Sequence, residues 1–169
     1  MFETDEEIER LQALLDRSHG KGGEHMGSIV TPERRLTAGQ VVTYLQGVKH
    51  VAFATVTAKG EPFVSPLDSF FLHGRFTVGT VARAVKAGHV RRNPAVSLTH
   101  MRGDEIGIWA HGRAQIWHPG EPIADEYLRV AEATYGQGFE EPDIIVMTVE
   151  PRALFAYAFD PSKFPESAQ

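Results

Sequence analysis

The sequence predicts a mostly β, α+β protein: one barrel or sandwich of short strands, with a few short helices and an N-terminal helical arm. Three observations carry this. Six or seven short β-rich runs fall between residues 48 and 159, separated by turns rich in Gly and Pro. Helical periodicity is confined to a few segments. The 169 residues fit one domain, long enough to bury about two thirds of the unfolded surface without disulfide or metal staples.

Residues 4–18 read as an amphipathic helix. Thr4 is its N-cap, Glu7 completes a capping box, and Ile8, Leu11, Leu14 and Leu15 share one face. Gly20, Gly22 and Gly23 end it, and residues 19–36 read as an irregular connection over the domain or a partner subunit. A second helix starts after Thr37 and turns Val41, Val42 and Leu45 inward before Gly47.

From residue 48 the period is that of strands. Val48–Thr57 and Phe63–Leu72 flank a hairpin connection at Ala58-Lys59-Gly60. His73-Gly74 turns the chain into a third strand, Arg75–Thr80. Val81–Arg92 reads as a short helix stopped by Asn93-Pro94. Strands follow over Ala95–His100 and Glu105–Trp117, the second with Ile106, Ile108, Ala110, Ala114 and Ile116 on one face. After a break at Pro119–Pro122 come a helix over 123–135 and two strands, Asp143–Glu150 and Leu154–Phe159.

Composition excludes several chemistries. There is no cysteine, hence no disulfide, thiolate nucleophile, cysteine-ligated zinc or iron–sulfur cluster. No apolar run approaches 18 residues, and the N-terminus lacks the basic-then-apolar order of a signal peptide, so a cytoplasmic protein with no membrane partner is expected. The eight histidines show neither His-x-His nor His-x-x-x-His spacing, so no metal site is expected. His111 shares a strand face with Trp109 and Arg113 and reads as a half-exposed structural histidine. His89 reads as solvent-facing, Trp109 and Trp117 as core or dimer-interface packing, and Tyr157 and Phe159 as buried strand residues. Ser65 and Ser97 show no His/Asp arrangement of a nucleophile.

A formal charge of −5 argues against nucleic acid as a partner, yet the sum hides an asymmetry. Between Asp68 and Asp104 there is no acidic residue, while Arg75, Arg83, Lys86, Arg91, Arg92 and Arg102 lie there. Such a local positive field implies an anionic client or, more plainly, a solvated basic face. Its centre is Gly79-Thr80-Val81-Ala82-Arg83-Ala84-Val85-Lys86. Read as a strand ending at Gly-Thr with a helix starting at once, this puts Arg83 and Lys86 on one helix face beside the Thr80 hydroxyl and free helix N–H groups. Those groups together make a seat for phosphate.

The surrounding runs are Val51–Val56, Gly60-Glu61-Pro62-Phe63-Val64-Ser65-Pro66, Phe76–Thr80, Lys86 and Arg91-Arg92-Asn93-Pro94-Ala95-Val96-Ser97-Leu98. In that order they resemble the flavin-binding split β-barrel superfamily typified by pyridoxamine 5′-phosphate oxidase, over about residues 38–118. The resemblance implies a split barrel that binds the phosphate of FMN, or of the deazaflavin coenzyme F420, through Thr80 and Lys86. Gly79 and Arg83 would adjoin it, and Phe53, Ala54, Thr55, Val56 and Ser65 would border the isoalloxazine ring. It also implies a homodimer with cofactor between subunits and a small-molecule substrate. The division that follows is an arm over 1–36, a split-barrel cofactor-binding domain over 37–160 and a tail over 161–169.

The likeness to the oxidase is incomplete. Ala84-Val85 stands where the oxidase has a Ser-Arg pair, and its C-terminal Trp and Arg motif for pyridoxal phosphate has no counterpart in Phe159–Phe164. Three readings follow: an FMN- or F420-dependent oxidoreductase of unidentified substrate, a non-enzymatic carrier of the same cofactor, or a binder of another anion such as the propionates of haem or nucleic acid. No side chain reads as a general acid or base, which fits chemistry supplied by a cofactor.

Overall fold

The structure, a computed structural model, describes residues 2–136 and 143–166. Alternation sets the inside of the sheet. In β1 (Lys49–Val56) Val51, Phe53 and Thr55 are buried, whereas His50 and Ala52 are exposed. β2 (Pro62–Leu72) returns alongside it, and β3 (Arg75–Val81) follows a two-residue turn. At that turn His73 and Gly74 hold φ of +53° and +72°, the paired positive values that match the twist of a tight hairpin. β4 (Ala95–Arg102), β5 (Ile106–Trp117) and β6 (Ile144–Ala158) complete the sheet. All pairings are antiparallel, in the order β1-β2-β3-β6-β5-β4. The ring closes where β4 meets β1 through three pairs, Ala52–Thr99, Phe53–Leu98 and Ala54–Ser97. Phe53, Phe76, Val78, Ile106, Ile108 and Met147 fill the interior.

β6 corrects the sequence reading, which expects two strands there. One 15-residue strand runs through, with a bulge: His111 pairs with Ala153 but Gly112 with Pro151, so Arg152 is the extra residue. The bulge switches which side chains face the core, from Met147 and Val149 before it to Leu154, Ala156 and Ala158 after it. A change of parity inside one strand looks, in sequence, like the end of one strand and the start of another.

α1 (Asp5–Lys21) has the expected capping box: Thr4 Oγ1 accepts from Glu7 N at 3.3 Å, and the Glu7 carboxylate accepts from Thr4 N at 2.9 Å. Leu11, Leu14 and Leu15 join the same apolar cluster as the barrel interior. The irregular connection expected after it is instead α2 (Gly23–Ile29) and a 3₁₀ turn (Pro32–Arg34). One residue, Gly22, separates the helices, and α2 opens at Gly23, whose φ of +72° turns the chain. α3 (Ala38–Tyr44) begins at a second capping box, Thr37 with Gln40, and buries Val41, Val42 and Leu45. α4 (Val85–Arg92) and α5 (Pro122–Tyr135) are the remaining helices of the described residues. α5 lays Ala124, Tyr127 and Ala131 over Phe70, Leu72 and Val146 on the outside of the barrel. No described helix is long and apolar enough to cross a membrane. Phe159, read as buried, is exposed beneath the Arg34 guanidinium, which lies 5.0 Å from its ring centre.

His73 ties three elements together. Its Nδ1 lies 3.2 Å from both Glu7 oxygens on α1 and its Nε2 3.0 Å from Glu126 on α5. Partial burial alone would lower its pKa, but the hydrogen bond and charge of Glu7 and the charge of Glu126 outweigh it, holding the imidazole above its ordinary 6.5. For Glu7, burial is outweighed by the Thr4 N–H and by His73, holding the carboxyl below its ordinary 4.5. The histidine therefore contributes stability that is complete below pH 6.5 and lost as pH rises through its higher folded value. The Glu7 contribution is present above pH 4.5 and lost as pH falls through its lower folded value. His73→Asn keeps a residue that tolerates positive φ while removing the charge. Urea melts at pH 5.5 and 8.5 should show the wild type's margin of stability over the variant shrinking towards alkaline pH, while His19 and His100, which burial holds below 6.5, act alike in both proteins.

Candidate functional site

The expected helix start directly after Thr80 does not form. Ala82, Arg83 and Ala84 make a turn in which Ala82 N donates to Asp143 O (2.7 Å) and Ala84 N to Val81 O (2.9 Å). α4 begins only at Val85, with Ala84 as an N-cap that makes no side-chain capping bond. Arg83 thus lies outside the helix and does not share a face with Lys86; its guanidinium pairs with Asp143 at 3.0 Å. Asp143, at the start of β6, draws both the backbone and the arginine of this turn towards itself. Lys86 reaches back to the end of β3, where its ammonium donates to Thr80 Oγ1 at 3.4 Å.

The basic segment is also narrower than its composition implies. Arg75 pairs with Glu150 (2.6 Å) and Arg102 with Glu105 (2.7 Å), as Arg83 does with Asp143, each acid lying outside the acid-free stretch. Among the described residues, Lys86, Arg91 and Arg92 of α4 form no ion pair. Arg91 donates to Ala82 O (2.8 Å) and Arg92 to Gly88 O in its own helix (3.2 Å). The local positive charge is concentrated on α4.

α4 is fixed against the barrel by a residue that the sequence places in solvent. His89 is 7% exposed, its Nδ1 lies 2.9 Å from Thr55 Oγ1 on β1, and the Phe63 ring meets it edge-on at 5.3 Å. With Ala87 and Val90 it forms the buried face of α4. The sequence signal is weak, because histidine serves equally on a wet face and as a hydrogen-bonded inner group.

The remaining expected site residues divide. Ala54 and Val56 face outward and, with Thr55, line a groove of about 520 Å³ on the outside of β1, β4, β5 and β6. Phe53 and Ser65 turn inward and are buried. Gly79 serves packing: a Cβ there would lie 2.6 Å from the Tyr127 hydroxyl, so only glycine lets α5 sit this close. Burial pushes the Tyr127 phenol up to about 12. Thr80 and Lys86 come together, and α4 links them through His89 to Thr55 at the groove.

Two features escaped the sequence. Ser97, read as lacking a histidine, has one: its Oγ lies 2.7 Å from His111 Nδ1. Arg152, the bulged residue, lines the same groove. Both follow from register, since β4 and β5 pair Ser97 with His111, which spacing along the chain does not disclose. Gly112 permits the bulge, for a Cβ there would meet Glu150 O at 2.1 Å. The two tryptophans are packed: Trp109 stacks on Phe155 at 5.2 Å, and Trp117 Nε1 donates to Thr148 Oγ1 at 2.9 Å. Among the described residues no three His, Asp or Glu side chains gather as a metal site.

A closed antiparallel barrel with a bulged long strand, and a basic helix crossing one end after β3, defines the split-barrel class. The model of the family described as pyridoxamine 5′-phosphate oxidase matches residues 37–158, and the chain belongs to that family. Among solved structures, a conserved hypothetical protein from Mycobacterium tuberculosis is similar at 18% identity and a TM-score of 0.66, covering 83% of this chain and 96% of that one. A protein titled F420 reductase is similar at 21% identity and a TM-score of 0.53, over 65% of this chain and 91% of that one. A FAD-binding protein from Mesorhizobium loti is similar at 16% identity and a TM-score of 0.57, over 73% and 96%. At these identities the structures establish the shared fold. A comparison with curated proteins found no match.

The close approach at Gly112 can be tested directly. Gly112→Ala should lower stability by about 1–3 kcal/mol, the usual cost of overpacking a tight site. In a thermal melt this appears as a fall in Tm of about 2–12 °C.

Proposed function

We propose that the α4 end of the barrel holds a flavin-type cofactor, FMN or the deazaflavin coenzyme F420, by its phosphate, and that the protein is an oxidoreductase acting on a small molecule. The observation that carries this reading is the Lys86 ammonium beside the Thr80 hydroxyl at the start of α4, on a helix whose cations are not neutralised by described carboxylates. The donor set suits a phosphate group: a cation, a hydroxyl and the first-turn N–H groups of a helix with no capping side chain. Family membership and the flavin and deazaflavin descriptions of two structural neighbours support the reading. Haem finds no such support.

The bound cofactor would supply hydride chemistry; the chain supplies binding and orientation. Lys86 and Thr80 hold the phosphate, His89 locks α4 to Thr55, and Ala54 and Val56 offer small apolar side chains where a planar ring system needs clearance. Arg83, engaged by Asp143, has a minor part.

A homodimer belongs to the same proposal. The outer face of β2, β1 and β4 exposes Val64 at 60% and Met101 at 63%, beside Ala52 and Pro66. Apolar side chains of this size on an uncovered sheet match the interior of a stable subunit interface. Light scattering at micromolar concentration should report twice the 18.7 kDa chain mass; a stable monomer would count against the arrangement.

The cofactor reading is tested by fluorescence titration of FMN and of coenzyme F420 against the wild type and two variants. Lys86→Ala removes a charge-assisted hydrogen bond of about 1.5–3 kcal/mol, roughly a 10- to 150-fold loss of affinity. Arg92→Ala, at the far end of the helix, should cost little and lose its effect in salt. Equal, small, salt-sensitive losses would mean a diffuse basic face. Binding without turnover of any reduced cofactor would leave a carrier.

A further inference from the structure

The groove beside the cofactor residues has polar groups that the cofactor reading leaves unused. Its walls are chiefly apolar, formed by Ala54, Val56, Pro62 and Val96. Three polar residues line it from adjacent strands: Ser97 on β4, His111 on β5 and Arg152 on β6. The Ser97 hydroxyl engages His111 Nδ1 at 2.7 Å, which orients the ring and leaves Nε2 for a ligand. Arg152 is there because of the bulge, and bulges commonly re-aim a side chain beside a site. The bulge in turn exists because residue 112 has no Cβ to strike Glu150 O. Arg152 forms no ion pair among the described residues, so its guanidinium stays available to an anion from outside.

We propose that this polar lining of the groove is the substrate's anion subsite, and that the substrate is a small, planar, apolar carboxylate. Arg152 takes the carboxylate, which its planar fork of donors suits, and His111, held by Ser97, hydrogen-bonds to the same group. The apolar wall at Pro62 and Val96 takes the ring or conjugated body, beside the place that the cofactor reading gives to the cofactor ring at Ala54 and Val56. The proposal deepens the cofactor reading by naming the substrate class. It rests on that reading for turnover and not for binding.

The test is calorimetry on the full chain with two probes of one shape, 2-naphthoate and the neutral 2-naphthamide. The carboxylate should bind at least about tenfold more tightly than the amide. Arg152→Gln should weaken 2-naphthoate by about tenfold or more and leave 2-naphthamide unchanged; Ser97→Ala should weaken 2-naphthoate about two- to tenfold. Lys86→Ala should leave 2-naphthoate binding intact while weakening the cofactor. Equal affinity for the two probes would overturn the subsite, as would indifference to Arg152→Gln. So would failure of 2-naphthoate to bind because a second copy of the chain fills the groove. If Arg152→Gln does not fold, the Ser97→Ala result decides. If 2-naphthoate behaves as expected and neither FMN nor F420 binds, the cofactor reading falls and the subsite stands.

Discussion

β6 is longer than the strand it lies against. β3 pairs with it only as far as Val149, leaving residues 150–158 with one edge that no strand covers. An uncovered edge exposes backbone donors and acceptors that must find partners. The N-terminal region supplies them: Leu154 N donates to Ser18 Oγ on α1 (3.0 Å), Leu36 N to Ala156 O (3.4 Å), and Arg35 bridges Tyr157. Because those partners come from helices and a short extended segment, β6 can bulge at Arg152 without leaving the sheet. The position of the groove's arginine, and of the His111 and Ser97 beside it, follows from that edge being held.

Beside the groove α4 acts as a strut. Its Ala87 and Val90 are buried, and the bond from His89 to Thr55 fixes its rotation about its own axis. That rotation points Lys86 back to Thr80. Lys86, Thr80 and the wall of the groove are therefore parts of one arrangement, joined by a single buried imidazole as well as by the turn between β3 and α4.

Much of this was legible in the chain, for reasons that can be named. The Thr4–Glu7 capping box and the Thr37 helix start were readable because such signals lie within a few residues of each other; the Gln40 half of the second box emerges only in the structure. The β1–β5 pattern was readable because each strand keeps one parity. β6 was not, because its bulge reverses parity midway, and neither was the Ser97–His111 bond, which depends on cross-strand register. Lys86 and Thr80 lie together, but the helix that carries Lys86 starts four residues later than the local pattern implies. The helix starts late because Asp143, sixty positions on, captures Arg83 and the backbone of Ala82. A rule that reads only neighbours has no access to that acid.

The ring of strands is not equally strong all round. β5 and β6 are laced along twelve positions, whereas β1 and β4 meet at three, and Ala54 and Ser97, one of those pairs, both border the groove. Local opening of a folded protein starts where the fewest backbone bonds must break together. In this barrel that place is the wall of its own site. A ligand of the proposed groove would need to part only this short zipper, with the core and α4 left closed.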